Sequence, residues 1–300
     1  MAWFNQALVS SLPVFPKFLV SRMAMRYVAG ESLQEAIQTV SDLNRRGFSA
    51  TLDILGENTT SRAKAEAITR RYLRVYDAIQ REGLDSTVSL KLTHLGLGYE
   101  DSLAEKCLME ILEKAKRHNN FLRIDMEDSP YTDRTLNLYR RCLKRYSQVG
   151  PVLQAYLKRS GDDLSSLVGK ELNVRICKGI YNESPGIAFK DRQDIRDNFI
   201  RLVQTALEAE STVGIATHDL YLIDSLETWI RNRNIPRDKY EFQVLYGVPV
   251  GHKLASLLTR KHRVRVYVPF GEEWYRYATR RLKENPRIAR YVLKNLTRRK

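Results

Sequence analysis

Cysteine is scarce in this 300-residue chain. There are three, Cys107, Cys142 and Cys177, an odd number with no C-x-x-C pair. This excludes a disulfide framework and a cysteine zinc site, and is expected of reduced thiols in a cytoplasmic protein. Long apolar runs are missing too. No stretch of about 18 apolar residues occurs, so a membrane-spanning helix is not expected. The N-terminal "MAWFNQALVSSLPVFPKFLV" is apolar but broken by Pro13 and Pro16. It lacks the basic start and unbroken apolar core of a secretory signal. No G-x-S-x-G elbow, P-loop or Cys/His cluster is present, and carboxylates are not densely grouped. A serine hydrolase, a P-loop nucleotidase and a catalytic metal are therefore not expected. Acidic residues are outnumbered, 35 against 50 Lys and Arg, which leaves a net charge of +15. Residues 260–300 carry fourteen Lys and Arg against three Glu. Such a field attracts polyanions, either nucleic acid or an anionic membrane surface.

What is present is a regular alternation of short β-rich runs and longer helical patterns. "SLQEAIQTVSDLNRRG" opens with a capping box, Ser32 and Glu35, and closes at Gly47. Strands are expected at "FSATLDILG", "STVSLKLT", "FLRIDME", "PVLQAYL", "LNVRICKG", "TVGIATH", "YEFQVLYG" and "RVRVYVPF", with helical patterns between them. Eight such units in about 250 residues predict a (β/α)8 barrel. A doubly wound sheet would place a glycine-rich turn after its first strand, where Gly56 is instead followed by Glu57 and Asn58. "GLGYED" supplies only two of the glycines of G-x-G-x-x-G. The expected organisation is one α/β domain over 1–300, with residues 1–46 an N-terminal helical segment and a last helix over the barrel mouth.

In this architecture reacting groups sit at the C-terminal ends of the strands. The expected strand ends carry polar residues: Lys91 with Ser89 on strand two, Asp125 on strand three and Gln154 on strand four. Strand five offers Arg175 and Lys178, strand six Thr217 and His218, strand seven Gln243 and strand eight Tyr267. Lys and Asp are costly to bury without partners, so their gathering at one end points to a site. Lys178-Gly179 at a strand–helix junction suits a phosphate, because glycine permits close backbone approach and lysine adds charge. The set leaves more than one chemistry open. Lys91 or Lys178 suits a Schiff-base lyase, and the donors together suit an anionic cofactor with a hydrogen-bonding ring, such as a flavin. A basic module without catalysis would explain the charge but not the gathering at the strand ends. In the final segment, Tyr277, Arg280, Arg281 and Glu284 follow the i, i+3, i+4, i+7 spacing of a helix face, yet the face is polar.

The phrases "SLKLTHLG", "IDMED", "VLQAYLKRS", "VRICKGIYNE", "IATHD", "EFQVLYGV", "RVYVPFGEEW" and "YATRRLKEN" together resemble the proline dehydrogenase domain, in order from about Arg26 to Glu284. The R-x-x-K-G of strand five and the Y-x-x-R-R-x-x-E of the last helix are the most specific. The chain is similar to the small bacterial monofunctional form, which carries no fused aldehyde dehydrogenase domain. The resemblance implies a barrel that binds FAD without a covalent link and oxidises L-proline to Δ1-pyrroline-5-carboxylate, the first step from proline to glutamate. It implies electron transfer to a membrane quinone, and a separate pyrroline-5-carboxylate dehydrogenase downstream. It implies that Arg280 and Arg281 clamp the substrate carboxylate with Lys91 beside them, that Leu245, Tyr267 and Tyr277 wall the ring, and that Glu284 holds the cations. Asp125 is implied as the acid behind the clamp and Arg175 as the residue near flavin N5. Met126, Gln154, Lys178, Gly179, Ile180, Thr217, His218 and Gln243 are implied as flavin contacts. A relative acting on 4-hydroxyproline is the nearest rival. One departure is Asp219, where the family often has Asn. The expected location is the cytoplasm, with peripheral contact to the inner membrane face, and nucleic acid is not an expected partner.

Overall fold

A computed structural model describes residues 26–275 and 277. Its centre is a closed, all-parallel barrel of eight strands in sequential order. They are β1 (Ser49–Ile54), β2 (Ser86–Leu90), β3 (Leu122–Ile124), β4 (Val149–Gln154), β5 (Asn173–Cys177), β6 (Thr212–Ala216), β7 (Tyr240–Leu245) and β8 (Val264–Phe270). The barrel closes by pairing β1 with β8, from Ser49 opposite Arg265 to Ile54 opposite Phe270. Helix α1 (Leu33–Arg45) precedes β1. The strand connections hold α2 (Arg62–Arg81), α3 (Asp101–Arg117), α4 (Thr132–Leu143), α5 (Ser160–Ser165), α6 (Arg192–Glu208), α7 (Leu220–Asn232) and α8 (Gly251–Thr259). The expected eight-unit barrel is the observed one. The third strand is shorter than the run "FLRIDME", ending at Ile124, so Asp125 sits just beyond it on the mouth side.

Local chemistry sets the elements. Ser32 and Glu35 form the expected reciprocal capping box at α1. Asp191 caps α6 and Asp219 caps α7, each accepting backbone N–H bonds of the first turn. Strand alternation divides the residues between two environments. Leu52, Val88, Leu90, Leu122, Val174, Ile215, Phe242 and Val266 are buried in the core shared by strands and helices. Each contributes on the order of 1.5–3 kcal/mol by leaving water. The intervening residues point into the barrel, and there the usual layers of branched apolar side chains are replaced by polar ones. Thr51, Asp53, Ser89, Arg123, Arg175, Gln243 and Arg265 are all buried. Polar groups were expected at the strand ends; Arg123, Glu241 and Arg265 show that they also fill the lower half. Unpaired they would be unaffordable, so their hydrogen bonds must close within the barrel.

Candidate active site

Two clusters edge a cavity of about 320 Å³ at the C-terminal ends of the strands. The first is ionic and lies deep. Lys91 follows β2, and its Nζ is 3.0 Å from Asp53 Oδ2, 3.4 Å from Asp125 Oδ2 and 3.3 Å from the Tyr267 hydroxyl. The Tyr267 hydroxyl donates to Asp53 Oδ2 at 2.6 Å and lies 3.1 Å from Asp125 Oδ2. Asp125 Oδ1 accepts from Ser89 Oγ at 2.6 Å and from Arg175 Nη1 at 2.8 Å. The Arg175 guanidinium also lies over the Tyr267 ring, 5.4 Å from its centre. Two cations thus meet two carboxylates, and the group is neutral as a whole.

The two carboxylates are not equivalent. Burial pushes Asp53 up; Lys91 opposes this and Asp125 reinforces it, so the balance stays above the ordinary value. Burial also pushes Asp125 up, but Lys91 and Arg175 outweigh it and hold that carboxyl below its ordinary value. The two carboxyls share contacts with Lys91 and Tyr267, so they titrate as one coupled pair. Burial disfavours the Lys91 ammonium, yet the same two carboxylates raise its pKa well above the ordinary lysine value. Tyr72, projecting inward from α2, closes the set with its hydroxyl 3.3 Å from Asp53 Oδ1.

The second cluster edges the mouth. Lys178, just after β5, pairs with Asp219 at 2.5 Å. Asp219 also accepts both arms of Arg196, at 2.8 and 2.9 Å, and lies 3.6 Å from Arg192. Three cations surround one carboxylate, so this edge stays positive. Next to Lys178, Gly179 has φ +99°, and a side chain there would run into the Tyr156 ring. Only glycine meets both demands. His218 Nε2 accepts from the Leu245 N–H at 2.8 Å, so that nitrogen carries no proton and Nδ1 bears the hydrogen of the neutral ring. Gln154 donates to the Glu127 carbonyl at 2.8 Å, which fixes which end of its amide is which.

Desolvation of the Asp219 carboxylate pushes its pKa up, but the bonds from Arg196 and Lys178 hold it far below the ordinary value. A depressed folded-state pKa contributes stability above the unfolded value, about 3.9, and that contribution fades as pH falls through the folded value. Asp219→Asn is therefore expected to lower the thermal midpoint at pH 7, with the gap to wild type narrowing below about pH 4. Calorimetric or circular-dichroism melts across this range check it; a pH-independent gap contradicts it.

Every described residue expected at the site from the sequence lines the one cavity, from Lys91 and Asp125 to Leu245, Tyr267 and Tyr277. Arg280, Arg281 and Glu284 lie outside the described residues. Asp53 is the main site residue not expected from the sequence. Its signal was an acid inside the apolar run "ATLDILG", two places from Thr51 on the inward-facing parity. Glu127, outside the cavity wall, is also buried, and burial lifts its carboxyl to about 7 against hydrogen bonds from Thr93.

A closed parallel barrel with a cavity of donors at the strand C-termini is the arrangement of a (β/α)8-barrel enzyme. A sequence profile described as proline dehydrogenase matches residues 36–292. Proline dehydrogenase 1 of Bacillus subtilis subsp. natto is 37% identical over 95% of each chain. Proline dehydrogenase of Deinococcus radiodurans is 37% identical over 91% of this chain and 90% of its own. The crystal structure of proline utilization A from Bdellovibrio bacteriovorus, inactivated by N-propargylglycine, shares the fold with a TM-score of 0.81 at 24% identity. That match covers 88% of this chain and 33% of the other, so the present chain corresponds to about a third of that protein. The chain belongs to the proline dehydrogenase family, and its activity is that of an oxidoreductase of this family.

Proposed function

We propose that the protein binds FAD at the barrel mouth and oxidises L-proline to Δ1-pyrroline-5-carboxylate, passing the electrons to a membrane quinone. The observation that carries this reading is the neutral network of Lys91, Asp53, Asp125, Arg175 and Tyr267 beneath a cavity rimmed by Lys178 and Gly179. The donor set fits the cofactor. Arg175, Lys178, Gln154, Gln243, Thr217 and His218 line one cavity, and they offer cationic and neutral donors to phosphate and to a polar ring. Bound flavin supplies the hydride acceptor.

The chain's own residues do the rest. Lys91 presents an ammonium beside the substrate carboxylate. Arg280 and Arg281 supply a planar, bidentate clamp that lysine does not reproduce. The proline nitrogen must lose its proton before its lone pair can stabilise the developing iminium, and a cationic site disfavours the ammonium form by like-charge repulsion. Leu245, Tyr267 and Tyr277 wall the ring, and Glu284 steadies the two arginines. Asp125 orients Lys91 and Arg175 through an ion pair with each. The net charge of +15 supports loose contact with anionic lipid at the inner membrane face, each basic residue near the surface contributing about 1 kcal/mol. No described helix is long and apolar enough to cross a membrane. The product passes to a separate pyrroline-5-carboxylate dehydrogenase.

Arg281→Lys tests the clamp. It is expected to raise the Michaelis constant for proline tenfold to a hundredfold, about 1.5–3 kcal/mol for a lost charged hydrogen bond, with the flavin spectrum unchanged. An unchanged constant removes the assignment. At Lys91 lyase chemistry is disfavoured: a Schiff-base lysine must be unprotonated to attack, and two carboxylates hold this one protonated. The colour of the purified protein separates the two chemistries. The flavoenzyme is yellow, whereas a lyase is colourless and is trapped by borohydride with its substrate.

A further inference from the structure

Below the mouth the barrel holds a second cavity, of about 230 Å³, with Thr51, Thr87, Arg123, Glu241 and Arg265 in its wall. Arg175 and Gln243 line both cavities and form the partition between them. Above the partition, Arg175 is fixed by Asp125 and Ser89. Below it, a continuous chain of hydrogen bonds runs to the floor. Arg175 Nε donates to Gln243 Oε1 at 2.6 Å, Gln243 Nε2 donates to Glu241 Oε1 at 2.6 Å, and Arg265 Nε donates to the same Glu241 oxygen at 2.7 Å. From Arg175 through Gln243 to Glu241 the donors all point one way, and Arg265 donates into the same carboxylate from the far side. A guanidinium only donates and an ionised carboxylate only accepts, so the Gln243 amide fits between them in a single orientation. Arg265 and Arg263 keep Glu241 ionised against the upward push of burial.

Gly214 completes the arrangement. In the sheet it lies between Arg175 on β5 and Glu241 on β7, in register with both. A glycine inside a strand weakens it and often marks a close approach. Here a side chain at 214 would collide with the Gln243 amide and with no backbone atom among its nearest neighbours. The glycine clears the space that the amide occupies.

We propose that Gly214 and Glu241 are positioning residues for Arg175, acting through the Gln243 amide from the floor of the barrel. This rests on the reading that Arg175 faces a flavin, whose reduced form its charge stabilises. The floor then sets the flavin's redox poise without touching cofactor or substrate.

Gly214→Ala is the direct test, because it adds one methyl group, changes no charge and displaces only the amide. The variant is expected to fold and bind flavin, with a lowered midpoint potential. Its kcat is expected to fall on the order of tenfold to a hundredfold, as for a small misplacement transmitted from outside the site, with the Michaelis constant for proline little changed. In a Gln243→Ala background the same substitution is expected to add nothing, since both act through one group. Glu241→Gln gives an independent sign test. Removing a negative charge by itself raises the potential, whereas loosening Arg175 lowers it, and a fall is expected. An unchanged potential in Gly214→Ala, additivity with Gln243→Ala, or a rise in Glu241→Gln overturns the proposal while leaving the flavoenzyme reading intact. A wild-type protein that binds no flavin overturns that reading and this one with it.

Discussion

Lys91→Met is expected to destabilise the protein by about 3–5 kcal/mol at pH 7, the usual cost of removing one partner from a buried ionic set. Lys91 is the cation shared by Asp53 and Asp125, and its loss leaves two buried carboxylates sharing one phenol. The sign of the pH dependence follows. Without Lys91, the Asp53 carboxyl, already raised by burial and by Asp125, rises further. A folded-state pKa above the unfolded value destabilises increasingly as pH climbs past about 3.9, so the deficit should shrink on acidification from pH 7 to 5 as Asp53 takes up a proton. Denaturant titrations of both proteins at the two pH values measure this. A deficit that is constant with pH would mean that the carboxylates do not feel one another.

Arg175→Ala carries the second large effect. Its guanidinium joins the ionic network to the Gln243 amide and is almost wholly buried. Removing one preorganised donor at a site of developing charge typically costs 10²- to 10³-fold in kcat, about 2.7–4 kcal/mol. If Arg175 faces a flavin as proposed, turnover is expected to fall by that order and the reduction potential of the flavin to drop, because its reduced form loses a cation. Asp125 and Ser89 would lose a partner, so a thermal melt should accompany the kinetics. A variant with wild-type potential would place Arg175 in a purely structural role.

How far the sequence reveals this site depends on the kind of information. Lys91, Asp125 and Arg175 are visible because charged residues inside apolar strands demand a reason, and strand counting puts them in one barrel. Asp53 has the same signature but stands three residues before Gly56, inside the strand rather than at its exit, where a site was expected. Arg123, Glu241 and Arg265 lie nearer the strand starts, so a search confined to strand ends passes over them. Pairing is less accessible still. Lys91 and Tyr267 meet although 176 positions separate them, and only the barrel's closure and register bring β1, β2 and β8 together. Asp219 was visible as an acid just after β6, but its effect depends on Arg196 and Arg192, on the helix that precedes that strand.

Anaerobic mixing of the flavin-loaded protein with L-proline tests the central claim most directly. Hydride transfer predicts rapid bleaching of the visible flavin band, with reoxidation when a soluble quinone is added. A yellow protein whose band is unmoved by saturating L-proline would contradict the account.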